Sequence, residues 1–285
     1  MDSQTQTPQH SEFLPIAILG GGNIGTAIAK GLVASGLCPP GEITITRRDL
    51  SAIRSLEELG LKLSSESAEV VQSSKTIILA VRPLQLPGLV ETIKDSIDPS
   101  RHVVLSVASG VSIEETKRLI GKELPVVRVM PSTAIAVRES MTCLSASQND
   151  REALEISRSI FSTLGQTQVI EEQFFSSATS LCACGTAFFL RAIRAASQGG
   201  IEIGFHSEEA ILMAAQTARG AASLLLETNS HPEEQIDKVT TPRGCTIAGL
   251  NQMEHEGFSS ALIKGIVTSA RIADELYIKK DEGES

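Results

Sequence analysis

Over the first 170 positions, apolar residues come in short continuous runs separated by longer stretches that mix apolar and polar residues at helical spacing. Ile16–Leu19, Ile43–Thr46, Thr76–Val81, Val103–Val107, Val126–Met130, Met141–Ser145 and Gln166–Ile170 read as strands, and Thr76–Val81 is apolar throughout, as a parallel strand covered on both faces should be. Between them, Ile24–Ser35, Ser51–Leu59, Ala68–Gln72, Gln85–Ile97, Ile113–Leu119 and the stretch from Asp150 to Leu164 read as helices. Alternation of this kind predicts an α/β fold with a doubly wound parallel sheet. Beyond Glu171 the pattern changes, and no further strand is expected. Phe174–Ile203, ended by Gly199, Gly200 and Gly204, is followed by helices at Ser207–Glu227, from His231, at Thr246–Met253 and at Gly257–Tyr277. The last carries Phe258, Leu262, Ile266, Ala270, Ala273 and Leu276 along one stripe. About a hundred residues of helices rich in small side chains make a thin core on their own. Burial against a second copy, giving at least a dimer, is therefore expected.

The first strand leads into Gly20-Gly-Gly-Asn-Ile-Gly25, where Gly20, Gly22 and Gly25 occupy G-x-G-x-x-G positions between a strand and a helix. Gly20 permits a tight turn, Gly22 leaves room for a pyrophosphate, and Gly25 lets helix and strand pack closely. The amides at Asn23 and Ile24 open the helix and face the phosphates. Where an NAD site carries an acid at the end of the second strand, this chain reads Arg47-Arg48-Asp49. A guanidinium grips a 2′-phosphate that a carboxylate repels, so NADPH is expected over NADH. Arg82 ends the Thr76–Val81 run, and Ala108 and Ser109 follow the next strand. All three stand where an open α/β sheet binds its ligand. These features divide the chain into a disordered tail at 1–13, a dinucleotide-binding domain at 14–170 and an all-helical domain at 171–280.

Net charge is −9 with 34 acidic and 25 basic side chains, and no long basic run exists, so nucleic acid is excluded as an expected partner. No apolar stretch reaches membrane-spanning length, and the polar Met1–Glu12 lacks the features of a signal peptide, so we expect a cytoplasmic protein. Five cysteines, an odd number, argue for free thiols. Cys182 and Cys184 are too close for a zinc finger and no His pair accompanies them, so no metal is expected.

Between two helices the segment Asp237-Lys-Val-Thr-Thr-Pro-Arg-Gly-Cys-Thr-Ile-Ala-Gly249 must turn sharply and present several amides to one point, which suits a carboxylate, with the Thr246 hydroxyl beside it. An ordinary capped turn has the same composition. This segment, with Gly20-Gly-Gly-Asn-Ile-Gly25, Leu79-Ala-Val-Arg-Pro83 and Arg128-Val-Met-Pro-Ser-Thr133, resembles the pyrroline-5-carboxylate reductases, from about Ile16 to Tyr277. The resemblance implies a Rossmann-like domain followed by a helical domain that interlocks two subunits. The implied reaction is reduction of 1-pyrroline-5-carboxylate to L-proline with NAD(P)H, the last step of proline biosynthesis. It implies that Gly20 to Gly25 and Ala80, Val81, Arg82 and Pro83 hold the dinucleotide. Ser67 stands where an adenosine-binding Asn is frequent, and Ala108 and Ser109 would lie by the nicotinamide. Val239, Gly244, Cys245 and Thr246 match the loop that binds the substrate carboxylate, Glu171 matches an acidic residue near the ring nitrogen, and Thr246 matches the hydroxyl that bonds it.

The chain departs from the family pattern in Leu181-Cys-Ala-Cys-Gly-Thr-Ala187, at Ser132 for an Asn, at Arg243 for a Gly and at Cys245 for a Thr. Two rival readings are a β-hydroxyacid dehydrogenase-like or other imine reductase, and a non-catalytic NADP-binding sensor. The former uses a Lys on the first helix of its second domain, and Phe174–Ile203 contains none.

Overall fold

The computed structural model describes residues 13–281, with side chains through Glu275. Strand β1 (Ile16–Leu19) lies at the middle of the sheet with all four residues fully buried. Ile16 and Ile18 enter one core while Ala17 and Leu19 enter the core on the other face. That is why the run is apolar without alternation. Each large side chain so buried contributes about 1.5–3 kcal/mol. Helix α1 (Asn23–Ser35) returns over one face to β2 (Ile43–Thr46). A 3-10 segment, Leu50–Leu59, then leads to β3 (Lys62–Ser64). Helix α2 (Ser67–Gln72) crosses to β4 (Thr76–Leu79), α3 (Leu86–Ile93) to β5 (Val103–Ser106), and α4 (Ile113–Ile120) to β6 (Val126–Met130). The order β3-β2-β1-β4-β5-β6 is parallel throughout, and chain direction across the sheet reverses between β1 and β4. A crevice opens at such a switch point, beyond the carboxyl ends of the strands.

Two strands depart from the expected all-parallel sheet. β7 (Ser140–Ala146) pairs antiparallel with β6, Met130 facing Cys143, and β8 (Gly165–Val169) runs parallel to β7. The cause is the connection. Only Pro131–Glu139, with one 3-10 turn at Thr133–Val137, separates β6 from β7. A parallel pair needs a crossover of about a dozen residues or more. Helix α5 (Arg151–Phe161) supplies such a crossover between β7 and β8, which are parallel. Strand β3 escaped the sequence reading because three half-exposed residues at the sheet edge carry no legible period. Phe13, read with the tail, is buried, and its carbonyl accepts from Thr76 Oγ1 at 2.8 Å; the rest of the tail lies outside the described residues.

The long helix expected over 174–203 is interrupted. A 3-10 turn (Glu172–Phe174) and α6 (Phe175–Ala178) are followed by a π-helical stretch, Thr179–Cys184, and then α7 (Gly185–Glu202). The chain divides into two compact units inside this run. One extends to Ala183 and takes back the chain from Ala270, and the other is Cys184–Ser269. In the second unit α7 packs on α8 (Ser207–Thr228), followed by α9 (Pro232–Val239), α10 (Cys245–His255) and the start of α11 (Phe258–Asp281), whose remainder from Ala270 belongs to the first unit. Gly199 and Gly200 do not end α7, as expected from the sequence, but lie within it. A Cβ at Gly200 would come within 3.0 Å of the Ala210 Cβ, so close approach of the two helices offsets the roughly 1 kcal/mol that glycine costs a helix. Along α11, Ala273 is buried and Leu262, Ile266 and Ala270 are half-buried, while Leu276 lies beyond the described side chains. The helical unit leaves large apolar side chains open, Phe189, Leu190, Leu212, Leu226 and Val267 all at 59% or more.

Candidate functional site

The glycine turn between β1 and α1 sits at the switch point. Gly20 has φ +121°, and a Cβ there would strike the Ala80 carbonyl at the end of β4. Its amide and that of Gly21 both donate to the Thr46 carbonyl, at 3.2 and 2.8 Å, which ties the turn to the end of β2. A Cβ on Gly25 would collide with the Gly20 carbonyl, so the helix seats directly on the turn. Gly22 is different: a Cβ built there meets nothing within 4 Å. It is also the N-cap of α1, with no side chain bonded to the helix's first amides. The amides of Asn23, Ile24 and Gly25 are thus the orphan donors of an uncapped helix beside open space, a fit to an anionic diphosphate.

At the end of β2 the structure gathers Arg47, Thr46 and Ser67. Arg47 donates from Nη1 to the Gly21 carbonyl, and its amide bonds Ser64 O at 3.1 Å. Its guanidinium therefore lies across the glycine turn, with the side chain exposed. Ser67 Oγ donates to Thr46 Oγ1 at 3.2 Å. Arg48 is exposed and carries no ion pair among the described residues. Asp49, the acid that follows the two arginines, is occupied. Its carboxylate accepts from the Ser51 amide and hydroxyl at 3.0 and 2.7 Å, and those bonds hold it below the usual carboxylate range.

Further along the same edge, Ala80 donates its amide to Leu19 O at 2.8 Å, Val81 lies beside Gly20, and exposed Arg82 precedes Pro83 in an extended conformation. Ala108 is a core residue at 3% exposure, so only Ser109 offers an open side chain there. Ser132, where the resemblance implies an Asn, is buried and structural. Its amide donates to Ser140 Oγ at 3.0 Å, and Ser140 meets Thr142 Oγ1 at 2.9 Å, joining the exit of β6 to the start of β7.

Glu171 is not brought to this edge. Ile170 bonds Leu144 O at 2.9 Å, and Leu144 pairs with Val129, so the chain at Glu171 is heading away from the carboxyl end of β6. The exposed carboxylate accepts from Gln173 Nε2 at 2.7 Å and lines an open groove of about 1140 Å³ with Lys117, Lys122 and Phe174. The acid with a buried partner is its neighbour. Glu172 Oε1 accepts from Arg128 Nη1 at 3.0 Å and from the Ile113 amide at 2.8 Å, and the Arg128 guanidinium stacks 4.5 Å from the Phe175 ring centroid. The sequence carried no signal for this cluster, whose members are far apart along the chain.

In the helical unit, the turn between α9 and α10 is tight. Arg243 takes φ +60°, the Gly244 amide bonds Thr241 O at 2.9 Å, and a Cβ on Gly244 would meet Thr241 Oγ1. Gly244 is the N-cap of α10 and supplies no side-chain cap. Thr246 is the second helical residue, half-buried, and does not cap. Cys245 is exposed, as is Val239 at 62%. The turn thus leads into the uncapped amides of Cys245 and Thr246, with the Thr246 hydroxyl on the same helical turn.

Residues 172–276 match the family described as pyrroline-5-carboxylate reductase dimerisation, and residues 15–110 match the one described as NADP oxidoreductase, coenzyme F420-dependent. Pyrroline-5-carboxylate reductase 2 of Dictyostelium discoideum is 46% identical over 271 residues, 90% of each protein. The chain belongs to the pyrroline-5-carboxylate reductase family. Pyrroline-5-carboxylate reductase 1 of the same organism is 51% identical over 279 residues, and there the chain spans half of its relative's length. The Arabidopsis thaliana pyrroline-5-carboxylate reductase is 32% identical, covering 94% of this chain and 98% of its own. The solved pyrroline-5-carboxylate reductase of Coxiella burnetii superposes with a TM-score of 0.86 at 28% identity, over 93% and 98% of the two chains. That of Plasmodium falciparum, solved with NADP bound, shares the fold at a TM-score of 0.82 and 21% identity, over 93% and 99%. The Rossmann-like sheet and the helical unit that follows it are the architecture of these pyrroline-5-carboxylate reductases. No helix of the described residues is long and apolar enough to cross a membrane.

Proposed function

We propose that the chain reduces the C=N bond of 1-pyrroline-5-carboxylate to give L-proline, with NADPH preferred over NADH, as a cytoplasmic homo-oligomer that is at least a dimer. One observation carries the reading: the match to a pyrroline-5-carboxylate reductase over nine-tenths of both chains. The open apolar side chains of the helical unit support self-association. When bound, the nicotinamide supplies hydride to the imine carbon. The uncapped amides of Asn23, Ile24 and Gly25 would hold the pyrophosphate, with Arg47 and Arg48 on the 2′-phosphate and Ser67 on the adenosine side. Ala80 to Pro83 and Ser109 would line the rest of the cofactor edge.

The amides of Cys245 and Thr246 would clasp the substrate carboxylate, with Gly244 shaping the turn, and the Thr246 hydroxyl would orient the ring nitrogen. Reduction also places a proton on that nitrogen. Lys238, the one Lys near the turn, pairs with Glu234 at 3.0 Å on α9. The imine is therefore bound already protonated, and Thr246 positions it rather than acting as an acid.

The test is NADPH oxidation by the purified protein with pyrroline-5-carboxylate and, separately, with a 2-keto acid. Oxidation with the cyclic imine alone is expected, and turnover of the keto acid alone would overturn the reading. Thr246→Ala should lower kcat by about a hundredfold, as misplacement of a reacting atom does, with NADPH affinity kept. Unchanged turnover would remove Thr246 from the reaction.

A further inference from the structure

Cys143 lies in β7 opposite Met130 and is 3% exposed. Cys182 lies in the π-helical stretch and is half-buried. Both side chains belong to one small apolar cluster with Met130 and Phe175, and the Cys143 thiol donates a hydrogen bond to the Cys182 sulfur. The Thr179 hydroxyl is turned to Met130 Sδ and the Phe175 carbonyl, at 2.9 and 2.7 Å. Two free thiols, far apart in sequence and attached to different elements, are thus already in contact.

We propose that Cys143 and Cys182 are a reversible redox pair, in which a hydroperoxide oxidises Cys182 and Cys143 then resolves it to an intramolecular disulfide. The two sulfurs have unlike chemistry. The bond donated by Cys143 stabilises the Cys182 thiolate and lowers its pKa to about 7, against the opposing effect of burial. Cys143, the donor, is pushed far up by that bond and by its own burial. Thiolate is the nucleophile toward peroxide, and a protonated neighbour is a resolving thiol in waiting. At Cys38, by contrast, burial and Glu42 push the thiol up to about 11, which keeps it protonated.

In the first step the Cys182 thiolate attacks one peroxide oxygen. The O–O bond breaks, hydroxide leaves and a sulfenic acid forms. In the second, Cys143 loses its thiol proton and its sulfur attacks the Cys182 sulfur. The S–S bond forms as the S–O bond breaks, and water leaves. Counting the proton that Cys182 released on ionising, which the departing hydroxide takes up, the two thiols give up two electrons and two protons, and hydrogen peroxide becomes two waters. A small dithiol reverses the change by exchange. The disulfide ties β7 to the π-helical stretch, close to Cys184, where the chain enters the helical unit.

The test maps disulfides in the full-length, reduced, wild-type protein after equimolar hydrogen peroxide. Remaining thiols are blocked under denaturing conditions, and the digest is read by mass spectrometry. A linked Cys143–Cys182 peptide, two hydrogens lighter than its parts and reversed by dithiothreitol, is expected. Recovery of both thiols in blocked form, or linkage of Cys182 to any other cysteine, overturns the proposal. Cys143→Ser should leave a dimedone-reactive sulfenic acid at Cys182. Cys143→Ala, which has no donor, should raise the pH midpoint for alkylation of Cys182 above that of both the wild type and Cys143→Ser, a shift that side-chain packing alone does not produce. An unchanged midpoint counts against the pair.

Discussion

Gly22 and Gly25 stand three residues apart in one turn, and the structure gives their substitution opposite consequences. Gly22 has φ −85° and ψ −168°, a conformation open to any residue, and its Cβ meets nothing within 4 Å. Gly22→Val therefore costs the fold only the poorer N-cap, about 0.5–1 kcal/mol, or a few degrees in Tm for a domain of this size. Its methyl groups occupy the space that a diphosphate needs. Losing one or two charge-assisted hydrogen bonds to the helix amides, at about 1.5–3 kcal/mol in all, weakens NADPH binding by about tenfold to more than a hundredfold. Gly25→Ala behaves otherwise: its Cβ runs into the Gly20 carbonyl, and backbone must move. That variant should lose several degrees in Tm along with the cofactor. The assays are NADPH titration by fluorescence and thermal unfolding by circular dichroism, on both variants and the parent. A Gly22→Val protein that binds NADPH as tightly as the parent refutes the placement of the phosphates at α1.

Arg48→Ala should leave Tm within about a degree, because the side chain is exposed and without an ion pair among the described residues, yet raise the KM for NADPH about tenfold and leave that for NADH unchanged. Equal effects on both cofactors would remove Arg48 from the 2′-phosphate. Glu172→Ala removes the carboxylate that the Arg128 guanidinium and the Ile113 amide share and should cost about 2–3 kcal/mol in urea unfolding, below the full figure for a buried pair because Glu172 is one-third exposed. A loss within error would show that Arg128 finds solvent. His102, 2% exposed, has its pKa lowered by burial and then by Arg101, so the folded protein keeps it neutral to a lower pH than the unfolded chain does. The unfolded chain takes up a proton below about pH 6.5, and this contribution to stability is complete above that value and falls as pH drops below it. Tm measured from about pH 7.5 to 5.5 should decline more in the parent than in His102→Asn, and parallel curves would show that His102 does not drive the decline.

Much of the cofactor edge was legible in residue order. Gly20, Gly22 and Gly25 act through backbone freedom and the absence of a side chain, which are local properties, and the Arg47-Arg48 pair follows from position at a strand end. Ser67 was placed only by resemblance, and the structure puts its hydroxyl on Thr46 beside the glycine turn. Glu171 was placed by resemblance too, and it follows a strand that runs against β6, a direction that position along the chain does not show.

By itself the sequence determined the alternating elements of the first 170 residues, the strand-turn-helix of the glycine motif, the change to helices after Glu171 and the sharp turn before α10. Each depends on spacing, chain stiffness or the conformational range of one residue. Tertiary structure alone decided the reversal at β7, the pairing of Glu172 with Arg128, the seating of Gly200 against Ala210 and the meeting of Cys143 with Cys182. These are contacts between residues remote in the chain. Hydrophobic periodicity tells which face of an element is buried, but what that face meets depends on the length of the connections and the packing of the whole unit.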